Sequence, residues 1–403
     1  MNSYLTASFP GTGGSLKETP EDFLVEELPL YTPCGEGEHL YLTVEKRGLT
    51  TFDLLQQLSR ALKVSEREIG YAGLKDARAT TRQSVSVSGV RPEQAMALKL
   101  AGVRILSACY HRNKLRLGHL AGNRFEIRLR GVKEDALETA LDVLHVLEKV
   151  GVPNFFGEQR YGSLGNSHLI GAAVLRRNFA EAATRIVGEP AKIGNEHWRQ
   201  GAEAFAAGDL TTALAALPPR MRDERRMIEA LQAGRSAEEA VLALPRKLLR
   251  LYLSAFQSSL FDRLVAMRLG TLETLWAGDL AWKHDNGACF IVENPTAEQP
   301  RADRFEISPS APLFGYKVTL AQGQAGLLER ALLDKEQLQP ESFRLTGGLG
   351  MEGERRPLRV PLAGAAARQE GDDLLVSFSL PKGSYATSVL REIMKNHCCP
   401  VNS

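Results

Sequence analysis

The chain has 403 residues, 43 % hydrophobic and 24 % charged, with a formal net charge of +2. These values exclude a disordered or fibrous chain, and the length predicts two domains. The small net charge excludes a global basic field, so any contact with nucleic acid must come from cations arranged locally. No apolar run approaches the roughly 20 residues that span a bilayer. The segment 1–14 lacks the basic-then-apolar order of a signal peptide, and a cytoplasmic location is expected. Five cysteines, Cys34, Cys109, Cys289, Cys398 and Cys399, form no C-x-x-C pair. Free thiols are expected, and no metal site is indicated.

In chain order, Phe23 to Glu27 and Leu40 to Val44 read as short strands. Phe52, Leu55, Leu58 and Leu62 recur at helical spacing, which predicts a helix over 52–62 with Thr51 as its N-cap. Ser84 to Val90 alternates with period two and reads as a strand, and Glu93 to Leu100 as a helix. Lys114 to Leu117 and Arg124 to Arg130 alternate again, with turns expected at Gly118 and at Gly122-Asn123. The order predicts an α/β domain with much antiparallel pairing. Composition changes near residue 154. Phe179 to Leu244 is rich in alanine and charge and reads as helical bundle. A long helix is expected from Arg246 to Leu269, and its apolar stripe runs from Leu248 to Leu264. Short strands follow between Trp276 and Leu320. Leu374 to Leu380 returns to the style of the first 150 residues, with a turn at Pro381-Lys382-Gly383 and a helix from Ser384 or Tyr385 to Met394. The two ends resemble each other more than the middle, as when one domain interrupts another.

Several segments hold residue types that do chemistry. In Gly73-Leu74-Lys75-Asp76-Ala77-Arg78, one carboxylate stands among Lys75, Arg78 and Arg82. Nearby cations favour its ionised form, which can act as nucleophile or base. The plainer reading is a capping Asp beside surface cations. Lys17 precedes the acidic run Glu18 to Glu27 and either holds a carboxylate charged or belongs to a solvated loop. Around Asn123, an amide that could read a base edge is followed by Phe125, which could stack on one. Arg128 and Arg130, with Arg112, Lys114 and Arg116, form two basic rows that would suit a phosphate backbone or a solvated hairpin face. Asn154-Phe155-Phe156-Gly157-Glu158-Gln159-Arg160-Tyr161-Gly162 suits a nucleic-acid surface or a domain junction equally. Tyr385, at a helix start, presents its ring to a pocket or anchors the helix. No phosphate-binding loop, dinucleotide fingerprint, nucleophile elbow or zinc-protease motif occurs.

Together the segments Lys17 to Phe23, Tyr71 to Gln83, Gly122 to Phe125, Asn154 to Gly162 and Ser384 to Glu392 resemble the tRNA pseudouridine synthase D (TruD) family, in the family's order and over nearly the whole chain. The resemblance implies a discontinuous α/β (α+β) catalytic domain of the pseudouridine synthase fold, residues 1–153 and 362–403, with a mostly antiparallel mixed sheet. It implies an inserted α+β domain over 154–361. The implied reaction isomerises uridine 13 in the D arm of tRNA to pseudouridine on a flipped-out base. Asp76 would be the nucleophile and Lys17 its charge partner, with Phe23, Asn123, Phe125 and Tyr385 contacting substrate. No cofactor, metal or obligatory protein partner is implied, and a monomer is expected. The chain departs from the family's pattern at Tyr385, where Phe is usual, and at Ala77, which precedes the basic Arg78. The alternatives are a non-catalytic RNA-binding protein of the same fold and a carboxylate-dependent hydrolase, the latter wanting a second acid near Asp76.

Overall fold

The computed structural model describes residues 4–396; Cys398 and Cys399 lie outside them. The chain forms two compact units, one of residues 1–152 with 360–403 and one of residues 153–359. The elements of the first stretch are β1 (Gly13–Ser15), β2 (Phe23–Pro29), β3 (His39–Arg47), α1 (Thr51–Leu62), β4 (Gly70–Tyr71), β5 (Thr80–Ser88), α2 (Pro92–Met96), β6 (Val103–His111), β7 (Leu120–Val132), α3 (Ala136–Val150) and β8 (Val152–Pro153). Next come helices α4 (Ser167–Leu175), α5 (Phe179–Val187), α6 (Glu196–Ala206), α7 (Leu210–Ala216), α8 (Arg222–Gln232), α9 (Ala237–Leu242) and α10 (Arg246–Met267). They are followed by β9 (Leu280–Lys283), β10 (Cys289–Ile291), α11 (Pro295–Asp303), β11 (Ile307–Leu313), α12 (Gly323–Lys335), β12 (Glu354–Pro357) and β13 (Arg359–Val360). β14 (Ala363–Glu370), β15 (Asp373–Pro381) and α13 (Ala386–Met394) return to the first unit.

The first unit is built on a nine-stranded sheet in the order β14-β15-β7-β2-β5-β3-β6, with β1 against β7 and β4 against β5. Among the described residues, only the β2–β5 pairing of this sheet is parallel. This is the mixed, mostly antiparallel α/β architecture expected from the sequence. Residues directly opposite on neighbouring strands share a face. On one face of β3 and β5, Leu40, Leu42, Val44, Val85 and Val87 are fully buried, and Leu54, Leu55 and Leu58 of α1 pack on them. On the same face of β7 and β15, Phe125, Ile127, Leu129, Val376 and Phe378 are covered by Ala140, Val143 and Leu147 of α3 and by Val389, Leu390 and Ile393 of α13. Each large apolar side chain so buried contributes about 1.5–3 kcal/mol. Two apolar cores thus flank the middle of a single sheet face.

Four local readings need correction. The cap of α1 is Thr50, not Thr51: its hydroxyl accepts from Asp53 N–H at 3.0 Å, and Asp53 accepts from Thr50 N–H at 2.9 Å. α2 stops at Met96, four residues short of Leu100. The strand before β7 is β6, and Arg112 to Leu117 is loop. β6 is an edge strand half-buried at most positions on both sides, so its sequence lacks clean alternation. Gly122 and Asn123 lie inside β7, not in a turn; the left-handed position is Gly118, with φ 85°.

In the second unit, five helices, α5 to α9, occupy the alanine-rich stretch, and the 22-residue α10 follows. Near its start, Arg250 donates to Gly348 O at 2.9 Å. A four-stranded sheet, β10-β9-β11-β12, completes this unit.

Candidate active site

Asp76 sits on the loop between β4 and β5, and four neighbours fix it. Thr51, in the first turn of α1, accepts from Lys75 N–H at 2.9 Å. Lys46 of β3 donates to Asp76 O at 3.0 Å and to Leu49 O at 2.5 Å. Arg78 N–H donates to Asp76 Oδ1 at 3.0 Å, an Asx turn that aims the carboxylate. Lys17 donates to Asp76 Oδ2 in an ion pair. Lys17 has φ 57°, in the left-handed region, and its ammonium lies 4.3 Å from the Phe23 ring centre. The sequence-derived pair Lys17 and Asp76 is therefore in contact, with Phe23 beneath the cation.

The electrostatics favour the anion. Burial alone would raise the Asp76 pKa, but the hydrogen bond and charge of Lys17, the Arg78 N–H and the charge of Lys46 outweigh it. The carboxyl is held below its usual value. The Asp76 side chain keeps 28 % of its surface exposed, so a reactant can reach it. Lys46 is fully buried, and that burial lowers its pKa to about 8. Beside this pair runs a second, Lys75 with Glu27 at 2.9 Å, both buried.

Beneath the loop the sheet face between the two apolar cores turns polar. Thr81 lies opposite Lys46 on one side and Val25 on the other. Gln83 lies opposite Val44, and Asn123 opposite both Glu27 and Leu380. Thr81 Oγ1, Gln83 Nε2 and Asn123 Oδ1 are buried without a hydrogen-bond partner. Such groups cost about 1–3 kcal/mol each, and their gathering beside Asp76 marks a place built for something other than stability.

Phe125 is 6 % exposed, edge-on to Phe23 at 6.3 Å and tilted against Phe378 at 5.4 Å. It lies in the core beneath Phe23. Tyr385 is the N-cap residue of α13 and is 37 % exposed, so it is carried by that helix rather than by the sheet or the Asp76 loop.

Two segments whose sequence suited either a nucleic-acid contact or a structural role make structural contacts. Arg128 pairs with Glu370 at 2.5 Å and Arg130 with Asp22 at 2.7 Å, so this strand shows no free basic row. In the segment 154–162, Asn154 donates to Pro357 O at 2.8 Å, and Phe156 N–H and Tyr161 OH both donate to Asp262 of α10. Those contacts anchor the segment within the second unit. Sequence reasoning missed Lys46, Thr51 and Gln83. The signal for Lys46 was available: a lysine continues the inward series Leu40, Leu42, Val44, where a cation needs a buried partner.

The family model "tRNA pseudouridine synthase D (TruD)" matches residues 1–393. The chain is 66 % identical over 395 residues to a tRNA pseudouridine synthase D of Syntrophotalea carbinolica, covering 98 % of this chain and 99 % of that one. It is 57 % identical over 393 residues to the protein of that name from Geobacter metallireducens, covering 97 % of each chain. A crystal structure of a putative tRNA pseudouridine synthase D from Methanosarcina mazei superposes with a TM-score of 0.86 at 29 % identity, covering 98 % of this chain and 96 % of that one. The loop that carries Asp76 and the sheet beneath it thus belong to a member of the tRNA pseudouridine synthase D (TruD) family.

Proposed function

We propose that the protein isomerises a uridine of tRNA to pseudouridine, at position 13 in the D arm, with Asp76 as nucleophile. The observation that carries this reading is the ion pair of Asp76 and Lys17 above a sheet face of unpartnered polar groups. The reaction breaks the N1–C1′ bond and forms a C5–C1′ bond. The proton leaves C5 and N1 gains one, so no electrons are exchanged and no redox group is needed. Attack on the base or on the sugar draws on the same carboxylate, and Lys17 keeps it charged in a partly desolvated setting. Lys46 and Arg78 hold its loop still, so little reorganisation is required at the reaction.

The target base must leave its stack, which costs a few kcal/mol. In this reading the exposed ring of Tyr385 returns part of that by stacking, about 1–3 kcal/mol per base. Phe23, backed by Phe125 beneath it, then gives the apolar side of the base site, and Asn123 offers its amide to the uracil edge. In the same reading residues 1–153 and 362–403 are the catalytic domain, and 154–361 the inserted domain.

The test is to map pseudouridine in unmodified tRNA after incubation with the purified protein. Wild type is expected to modify uridine 13. Asp76→Asn is expected to lose the reaction and keep tRNA binding. Full activity of that variant would remove Asp76 from the mechanism, and absence of reaction in wild type would leave only an RNA-binding protein of this fold.

A further inference from the structure

At the end of the sheet where β7 begins, a concavity of about 640 Å³ lies away from Asp76. Its lining includes Tyr31, His111, Arg112, Lys114, Arg116 and His119, and none of its residues is acidic. Arg112 is paired with Glu36, and Lys114 donates to Arg67 O at 2.6 Å. Arg116 is exposed and has no ion pair among the described residues. His111 is stacked on Tyr31, with ring centres 4.9 Å apart and planes 22° apart. Its Nδ1 accepts from Cys34 N–H at 3.3 Å. That fixes the proton of the neutral ring on Nε2, which becomes a further donor. Among the described residues no group of three or more His, Cys, Asp or Glu is fit for a metal. The concavity offers donors and positive charge in a space sized for one phosphate with its sugar.

We infer that this pocket binds an internal phosphodiester of the same tRNA whose uridine reaches Asp76, an inference that rests on the reading of function given above. Continuity of the surface argues for that source. His119 is four residues before Asn123 on the same chain segment. Gly118 N–H donates to Ala72 O at 2.8 Å, four residues before Asp76. Lys382 donates to Gly118 O at 3.2 Å, three residues before Tyr385. The loop 112–119 is therefore tied to both segments that carry the proposed substrate contacts. Along β3, His39 at the pocket and Lys46 at Asp76 are seven residues apart, about 23 Å in an extended strand. The pocket thus takes the backbone several nucleotides from the target, which positions the arm and leaves the base to the site around Asp76.

The test compares wild type with Arg116→Ala and Arg116→Glu in equilibrium binding to unmodified tRNA across salt concentrations, together with steady-state pseudouridine formation. Arg116→Ala is expected to weaken binding about three- to tenfold at low salt and to reduce the slope of log K against log salt by about 1. Arg116→Glu is expected to lose more. KM should rise in both, with kcat at saturating tRNA unchanged. Unchanged affinity and slope, with normal pseudouridine formation by wild type, would overturn the pocket and leave the proposed function standing. The pocket is likewise overturned as a tRNA site if titrated inorganic phosphate shifts the His111 ring resonances while the Arg116 variants bind tRNA as wild type does, since it then takes free phosphate only. Failure of wild type to modify tRNA would overturn both.

Discussion

Lys46 donates from a fully buried ammonium to the backbone oxygen of Asp76 at 3.0 Å, so the Asp76 loop is fastened through its main chain while Lys17 holds its side chain. The two cations divide the work. Lys17 sets the charge state of the carboxylate, and Lys46 sets where that carboxylate stands. A charge that costs free energy to bury is retained here because it supplies the donor that both Asp76 O and Leu49 O accept from.

Lys46→Met should therefore leave both oxygens unsatisfied. The expected loss is about 1–3 kcal/mol of stability, seen in denaturant unfolding, together with a lower kcat at saturating tRNA and little change in tRNA affinity. An unchanged kcat would show that the loop does not depend on this lysine. The native charge also leaves a trace in pH. Burial lowers the folded-state pKa of Lys46 to about 8, below the ordinary lysine value. Between those two values the unfolded chain binds more protons, so this group makes stability rise with pH through that window. The variant should lack that rise.

The Asp76 carboxyl is held below its ordinary value, which fixes the sign of a second effect. Its contribution to stability is present above the unfolded-state pKa and is lost as pH falls through the folded-state value. The acid limb of kcat/KM should lie below the usual carboxylate range. Lys17→Met removes the main lowering interaction and leaves the burial, which raises the pKa, so the limb should move upward. A pH–rate profile of the variant checks this, and a limb that stays in place would mean another group controls it.

Gln83 is 1 % exposed, and its Nε2 has no partner, while Oε1 accepts from Thr51 at 3.3 Å. Gln83→Met removes a buried donor at similar volume. Stability should rise by about 1 kcal/mol or stay level, and kcat/KM should fall if the polar floor serves the substrate. Thermal melts and kinetics on the same preparation separate the two effects. Loss of stability with full activity would make Gln83 an ordinary core residue.

Phe125 supports the site from beneath, so its truncation should act through folding. Phe125→Ala should cost about 3–5 kcal/mol, because the Phe23 and Phe378 rings lose their shared contact. Phe125→Leu should keep most of the stability. If that variant binds tRNA normally at high salt yet turns over slowly, the ring also serves the base. Equal losses in binding and turnover would confine it to the core.

The mixed fold was legible from strong local patterns, and the pair Lys17–Asp76 only through the family resemblance carried by a specific motif; the Phe23 ring under the Lys17 ammonium was not legible. Other features depend on partners far away in the chain, which periodicity does not report. Arg128 and Arg130 look like a phosphate track until Glu370, Asp373 and Asp22 arrive beside them. The strand 103–111 was hidden by its edge position, where neither side is consistently buried. Thr50 and Thr51 are adjacent and equally suited to capping; what separates them is that Thr51 is needed by Lys75 N–H. Lys46 reads as a surface cation unless its place in the inward series of β3 is counted.

Gly122 is the sharpest of these cases, since Gly-Asn reads as a turn and is instead strand. In β7 it lies opposite Pro381 of β15, and a Cβ there would stand 2.2 Å from Leu380 O. That contact is with backbone, which cannot swing away as a side chain can. Gly122→Ala should force β7 and β15 apart at the end where Asn123 and Tyr385 stand, at a cost of about 1–3 kcal/mol. Because the strain falls beside the proposed uracil contacts, activity should drop more than stability accounts for. The comparison is made at a temperature where the variant is still fully folded by circular dichroism. Full kcat/KM under that condition would mean the β7–β15 spacing does not position the substrate.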